Sequence, residues 1–302
     1  MFIRDLFRRR RPVVSFEIFP PKREYPLETV YATVEALRDL GPDFISVTYG
    51  AGGSSRERTV DIAAAVKERW GLTPLAHLTC LEQTEAEVDA VLDTLRERGV
   101  HNILALRGDP PQVSLGGSSS GGEDFHFAAD LVRHITTRHP GAFSIGAAAY
   151  PEGHATCDSL EEDLRHLKEK VEAGVDFLVT QLFFDNDLFF RFAERLDAMD
   201  VRVPVTAGIM PVLNARQIGR IVSLSGASIP PKFARIMARY ENAPEALADA
   251  GIAYATEQII DLLSWGVAGV HLYTMNRPDV TRRIMANIAS VRSTLVEGAS
   301  SP

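Results

Sequence analysis

The segment VVSFEIF, residues 13–19, is a short apolar run with a carboxylate, Glu17, near its end, and runs of this kind return seven more times along the 302-residue chain. The others are FISVTYG (44–50), PLAHLTC (74–80), NILALRG (102–108), SIGAAAY (144–150), FLVTQLF (177–183), PVTAGIM (204–210) and AGVHLYT (268–274). Helical periodicity lies between them, over 27–40, 56–70, 84–98, 125–139, 159–173, 187–198, 214–224, 244–265 and 279–293. The first of these helices stops at Gly41-Pro42, and those over 84–98 and 159–173 stop at Gly99 and Gly174. Strands alternating with helices at roughly 30-residue spacing call for right-handed crossovers and a parallel sheet. An open doubly wound sheet shares that rhythm, but eight units without a GxGxxG after the first strand favour closure. The expected fold is α/β: a (β/α)8 TIM barrel, one catalytic domain over residues 1–302.

Composition narrows the function. Apolar residues make up 45% and charged residues 24%, as in ordinary globular proteins. A net charge of −8 supplies no basic excess to replace the counterions of a nucleic acid, so no such partner is expected. Arg8 to Arg11 is the only basic run and reads as part of a solvated N-terminal arm over 1–12. These positive residues follow MFIRDLF rather than precede an apolar stretch, unlike a signal peptide. No run of 18 apolar residues exists to span a membrane, and the expected location is cytoplasmic. Cys80 and Cys157 stand 77 residues apart without a CxxC or a nearby His at ligand spacing, so they read as two reduced thiols and no metal is expected. The Gly/Ser-rich segment 112–123, QVSLGGSSSGGE, reads as a flexible loop above the active face, and 226–243 as a second irregular stretch.

Strand C-termini converge on one face of such a barrel, so residues far apart in sequence share a pocket there. The strand ends supply Glu17, Thr48, Tyr49, His77, Thr79, Arg107, Asp109, Tyr150, Gln181 and Tyr273, with Arg277 just beyond. Glu17 is the most informative. A carboxylate in an apolar strand costs several kcal/mol to bury unless it is paired or neutral, and desolvation would suit it to donate a proton at neutral pH. The structural alternative is an ion pair with Arg107. Arg107-Gly108-Asp109 offers close backbone approach at Gly108 and an acceptor at Asp109, although a plain turn has the same sequence. Asp163, His166 and Lys170 fall on one helix face, suited to a ribose or phosphate or simply to solvent.

Two other chemistries fare worse. A Schiff-base aldolase needs a lysine at a strand end, yet Lys22, Lys67, Lys168, Lys170 and Lys232 all lie outside the predicted strands. A metal hydrolase needs several ligands there, and Glu17, His77 and Asp109 are few and mixed.

SFEIFPPK (15–22), SVTYGAGG (46–53), HLTC (77–80), ALRGDPP (105–111), AAYPEGH (148–154), TQLFFD (180–185), GIMPV (208–212) and HLYTMNR (271–277), taken in order, resemble the methylenetetrahydrofolate reductase family in its short bacterial form. The resemblance implies an FAD enzyme that passes a hydride from NADH or NADPH through the flavin, in ping-pong fashion, to 5,10-methylenetetrahydrofolate, giving 5-methyltetrahydrofolate. It assigns Glu17 as general acid and places Asp109 beside flavin and pterin. It puts Gln181, Gln217 and Arg277 on the folate substrate and Thr48 near the nicotinamide. Tyr49, Ala51, His77, Arg107, Gly108, Ala128, Tyr150, His154, Asp163, His166 and Lys170 fall at flavin-contact positions. His166 stands where some relatives carry Asn, and Ile221 where some carry an aromatic. The family usually forms homo-oligomers. The alternatives are another barrel flavoprotein, such as a proline dehydrogenase-like oxidase, and a folate- or flavin-binding subunit that receives electrons from a partner protein.

Overall fold

The eight apolar runs form eight strands because each alternates between two apolar surfaces. In the computed structural model, which describes residues 1–9, 12–49, 56–108 and 124–297, these are β1 (Val13–Ile18), β2 (Phe44–Val47), β3 (Pro74–Thr79), β4 (Asn102–Leu106), β5 (Ser144–Ala149), β6 (Phe177–Thr180), β7 (Val205–Ile209) and β8 (Gly269–Tyr273). Every neighbouring pair is parallel, and β8 pairs with β1 to close the barrel. Val14, Phe16 and Ile18 of β1 join the large core shared with the helices. Val13 joins a separate interior cluster with Phe44, Leu75, Leu104, Phe177 and Val179. That period of two puts one set of side chains under the helices and the other inside the barrel. Each fully buried Leu, Ile or Phe contributes roughly 1.5–3 kcal/mol.

The crossover helices are α2 (Glu28–Arg38), α3 (Arg56–Trp70), α4 (Glu85–Glu97), α5 (Ala128–Arg138), α6 (Leu160–Glu172) and α7 (Asn186–Ala198). After β7 come α8 (Ala215–Ser225), α9 (Pro231–Tyr240) and α10 (Pro244–Trp265), and after β8 come α11 (Pro278–Asn287) and α12 (Ala289–Glu297). The expected irregular stretch 226–243 therefore contains a helix. Pro231 opens it at N1, where a missing N–H costs nothing. Phe233 and Met237, one turn apart, anchor it in a satellite cluster with Leu182, Phe184 and Val212. The helix expected over 279–293 is divided at Ile288, which is itself buried in the core.

The N-terminal arm is also corrected. Ile3–Leu6 forms a short helix, α1, whose Ile3 and Leu6 enter the interior cluster, with Phe7 packed against it. Asn102 Oδ1 accepts the Ile3 N–H at 2.8 Å and Ser144 Oγ accepts that of Arg4 at 3.1 Å. Asn102 Nδ2 donates to the Pro74 carbonyl at 2.9 Å. Polar residues at the starts of β4 and β5 thus satisfy the free N–H groups of a helix that plugs the lower end of the barrel. Arg8 and Arg9 are exposed; Arg10, Arg11 and the Gly/Ser-rich segment 112–123 lie outside the described residues.

Candidate active site

Above its apolar floor the barrel interior turns polar. Ser15, Ser46, His77 and His271 are buried, and the side chain of Glu17 is 18% exposed. Glu17 Oε2 lies 3.6 Å from His77 Nε2 and 3.4 Å from His271 Nε2. His77 shares a 2.7 Å hydrogen bond with Ser46 Oγ, and His271 Nδ1 one of 2.7 Å with Ser15 Oγ. Burial pushes His77 down to about 4, against the opposing pull of Glu17, so this ring is neutral at physiological pH. His271 thus bridges Ser15 and Glu17, one ring nitrogen facing each. Glu17 therefore sits between two imidazoles, not beside Arg107. The Arg107 guanidinium lies 5.8 Å from the ring centroid of Phe127. Tyr273, the register partner of Glu17 on β8, donates to the Thr180 carbonyl at 2.7 Å. Its phenol is raised well above its usual range by burial, with Glu17 and Tyr150 adding to the effect.

The end of β1 is held from both sides. The Ile18 carbonyl accepts the Thr48 N–H at 3.0 Å. On the other side Thr274 Oγ1 donates to the Glu17 carbonyl at 2.6 Å. Asn276 then takes both polar groups of Phe19: its Oδ1 accepts the N–H at 3.1 Å and its Nδ2 donates to the carbonyl at 2.9 Å. Thr274 and Asn276 belong to a turn closed by the Arg277 N–H donating to the Thr274 carbonyl at 2.9 Å. Both central residues, Met275 (φ +51°) and Asn276 (φ +53°), are left-handed, as in a type I′ turn. Asn tolerates that region, whereas Met pays about 1–2 kcal/mol for it. The loop after β1 is fastened by Arg58 of α3, whose guanidinium donates to the carbonyls of Pro21, Lys22, Arg23 and Tyr25.

Beside this mouth, at the C-terminal ends of β4 and β5, a cleft of about 320 Å³ opens between α5 and α6. It gathers Arg107, Ala128, Tyr150, His154, Asp163, His166 and Lys170, seven of the residues singled out for a cofactor. Lys170 Nζ donates to the Ala148 carbonyl at 2.9 Å, and burial lowers its pKa while Asp163 opposes the shift. Asp163 is 7% exposed. Tyr150 and His154 meet edge to face at 4.6 Å, and the His166 ring stacks on Phe127 at 6.3 Å. A buried ammonium, two imidazoles and a guanidinium suit a diphosphate, and a buried carboxylate suits sugar hydroxyls. Gly108 has φ +90°, and a Cβ there would come within 3.1 Å of the Thr79 Cβ, so the backbone after β4 makes a turn that favours glycine.

The remaining expected residues are spread around the mouth. Thr48 and Tyr49 end the segment after β2, Gln181 follows β6, and Arg277 follows β8 in a two-bond pair with Asp279. Ala51 and Asp109 lie outside the described residues, as does the side chain of Gln217 in α8. His271, Ser15, Ser46, Thr274 and Asn276 surround Glu17 without having been singled out. His271 was detectable: it is two residues before Tyr273, the same interval that separates Ser15 from Glu17. Cys157, 3.7 Å from Asp163 and 3.9 Å from His166, also lines the cleft, its thiol raised by burial and by Asp163. Among the described residues no cluster of His, Cys, Asp and Glu could hold a metal ion, and no helix is long and apolar enough to cross a membrane.

Fold and site together define a (β/α)8 barrel with a carboxyl under the rim of its strands and a cleft alongside. The chain belongs to the methylenetetrahydrofolate reductase family, whose model matches residues 2–289. It is 36% identical over 271 residues to the 5,10-methylenetetrahydrofolate reductase of Pectobacterium carotovorum, covering 90% of this chain and 88% of that one. The Escherichia coli protein of the same name is 34% identical over the same shares. Methylenetetrahydrofolate reductase (NADH) 1 of Arabidopsis thaliana is 34% identical across 96% of this chain, but the chain spans only 50% of that longer relative. Among solved structures, a Clostridium thermocellum protein described as binding two copies of 5-methyl-5,6,7,8-tetrahydrofolic acid aligns with a TM-score of 0.68 over 96% of this chain and 98% of its own. At 12% identity that likeness concerns the fold.

Proposed function

We propose that the protein reduces 5,10-methylenetetrahydrofolate to 5-methyltetrahydrofolate with NADH or NADPH as donor and FAD as cofactor, Glu17 being the general acid. The observation that carries this reading is the position of Glu17: a carboxyl under the rim of the barrel, between two imidazoles, with a nucleotide-sized cleft beside it. Arg107, Gly108, Ala128, Tyr150, His154, Asp163, His166 and Lys170 would hold FAD, with Lys170 and the imidazoles on its diphosphate. When bound, FAD supplies two-electron hydride carriage between nicotinamide and folate. Gln181 and Arg277 orient the folate. Glu17 delivers a proton to the folate nitrogen that departs as the five-membered ring opens, leaving a cationic one-carbon unit ready to accept hydride. His271, whose Nε2 faces Glu17 at 3.4 Å, would steady the carboxylate once its proton is gone.

Anaerobic visible spectroscopy of the FAD-loaded protein tests the scheme. NADH should bleach the flavin and methylenetetrahydrofolate should restore its colour. If NADH leaves it yellow while folate still reoxidises chemically reduced flavin, the electrons come from a partner protein. A protein that binds no FAD on reconstitution defeats the cofactor assignment. Glu17→Gln should keep flavin binding and bleaching while recolouring slows by about two to four orders of magnitude.

A further inference from the structure

We propose that Asn276 is a positioning residue for Glu17, clamping the end of β1 so that the carboxyl is held at a fixed height under the barrel rim. The inference rests on Glu17 acting as the acid in the folate step. Backbone pairing of β1 with β8 already runs from Val13↔Gly269 to Glu17↔Tyr273, so closing the barrel does not require anything further along. Pairing nonetheless continues two residues past the ladder, made by side chains. Thr274 takes the carbonyl of Glu17 itself. The Asn276 amide takes both backbone groups of Phe19, as the main chain of a neighbouring strand would. Two rigid points therefore straddle the peptide units on either side of Ile18.

The turn that carries this clamp is strained, with a non-glycine pair at positive φ. Strain of this kind persists only where surrounding contacts over-determine it, and it clusters at functional sites. The neighbouring Met275 is 40% exposed, so burial of its side chain does not account for its conformation. Arg277 closes the turn through its own N–H. Glu17 and Arg277, the acid and a residue assigned to folate, are thus joined into one unit 260 residues apart in sequence. A side chain misplaced by about 1 Å costs roughly a hundredfold in rate, which is the sensitivity such a clamp protects against.

Single-turnover kinetics of the FAD-loaded protein separate this role from general support of the fold. Asn276→Gly keeps the left-handed turn accessible and deletes only the amide. It should slow folate-driven recolouring at saturating folate by about ten- to a hundredfold, while the rate of NADH bleaching, the FAD dissociation constant and the folate dissociation constant stay within about threefold. Met275→Gly relieves the strain, keeps the amide and should leave the folate step unchanged. Glu17→Gln is the control for the underlying reading: if it recolours at the normal rate, the acid assignment fails. If Glu17→Gln is slow and Asn276→Gly is normal, the positioning role alone is overturned. Equal losses in both half-reactions of Asn276→Gly, or a slow folate step in Met275→Gly, also overturn it, because the amide would not then be what sets the acid.

Discussion

His77 gives the protein a pH signature of its own. Burial moves its pKa from 6.5 to about 4, so between those values the unfolded chain binds a proton that the native protein refuses. Stability therefore rises with pH across that window and is lost on acidification from about 6.5 towards 4, by up to on the order of 3 kcal/mol. Urea midpoints measured from neutral pH down to about pH 4 should follow that slope, and His77→Gln should flatten it; a slope unchanged in the variant would assign the acid sensitivity elsewhere. Glu17 was legible at this scale because a carboxylate inside an apolar run has few bland explanations. Of its two imidazole neighbours, His77 was among the strand-end residues and His271 shared the alternation of Tyr273. Their convergence on Glu17 was not legible, because His271 is 254 residues away and sequence spacing does not state how a barrel's last strand registers on its first. Arg107, the partner of the structural alternative, lines the cleft and faces Phe127 instead.

Among the elements, the eight strands were visible from apolar runs and most helices from periodicity with glycine or proline stops. α1 escaped detection because four residues carry less than two turns of pattern, and its amphipathic character exists only relative to Asn102, Ser144 and the interior cluster. α9 escaped because Pro230-Pro231 reads as a breaker, when its place at the first turn makes it a start signal. The plug has a measurable worth. Asn102→Ala removes the acceptor of the Ile3 N–H and the donor to the Pro74 carbonyl, and should lower unfolding free energy by about 1–3 kcal/mol in chemical denaturation. Leu6→Ala, which empties part of the barrel floor, should cost about 2–5 kcal/mol. Losses well below these would mean that α1 merely rests on the barrel.

Across the whole molecule, the cleft lies beside the barrel mouth that holds Glu17, at the ends of β4 and β5. Ligand affinity for the cleft is then stability for the fold. FAD at about a hundred times its dissociation constant should stabilise the native state by about 2.7 kcal/mol, visible as a melting temperature several degrees higher. Lys170→Met should abolish most of that gain while leaving the apoprotein's own melting close to that of the parent; a retained gain would remove Lys170 from the diphosphate site.

The floor made by Ile3, Leu6 and Phe7 turns the interior from a tube into a blind well. On the proposal that Glu17 is the acid of the folate step, its proton is then renewed from the rim side, and a product seated over the rim stands between one turnover's proton and the next.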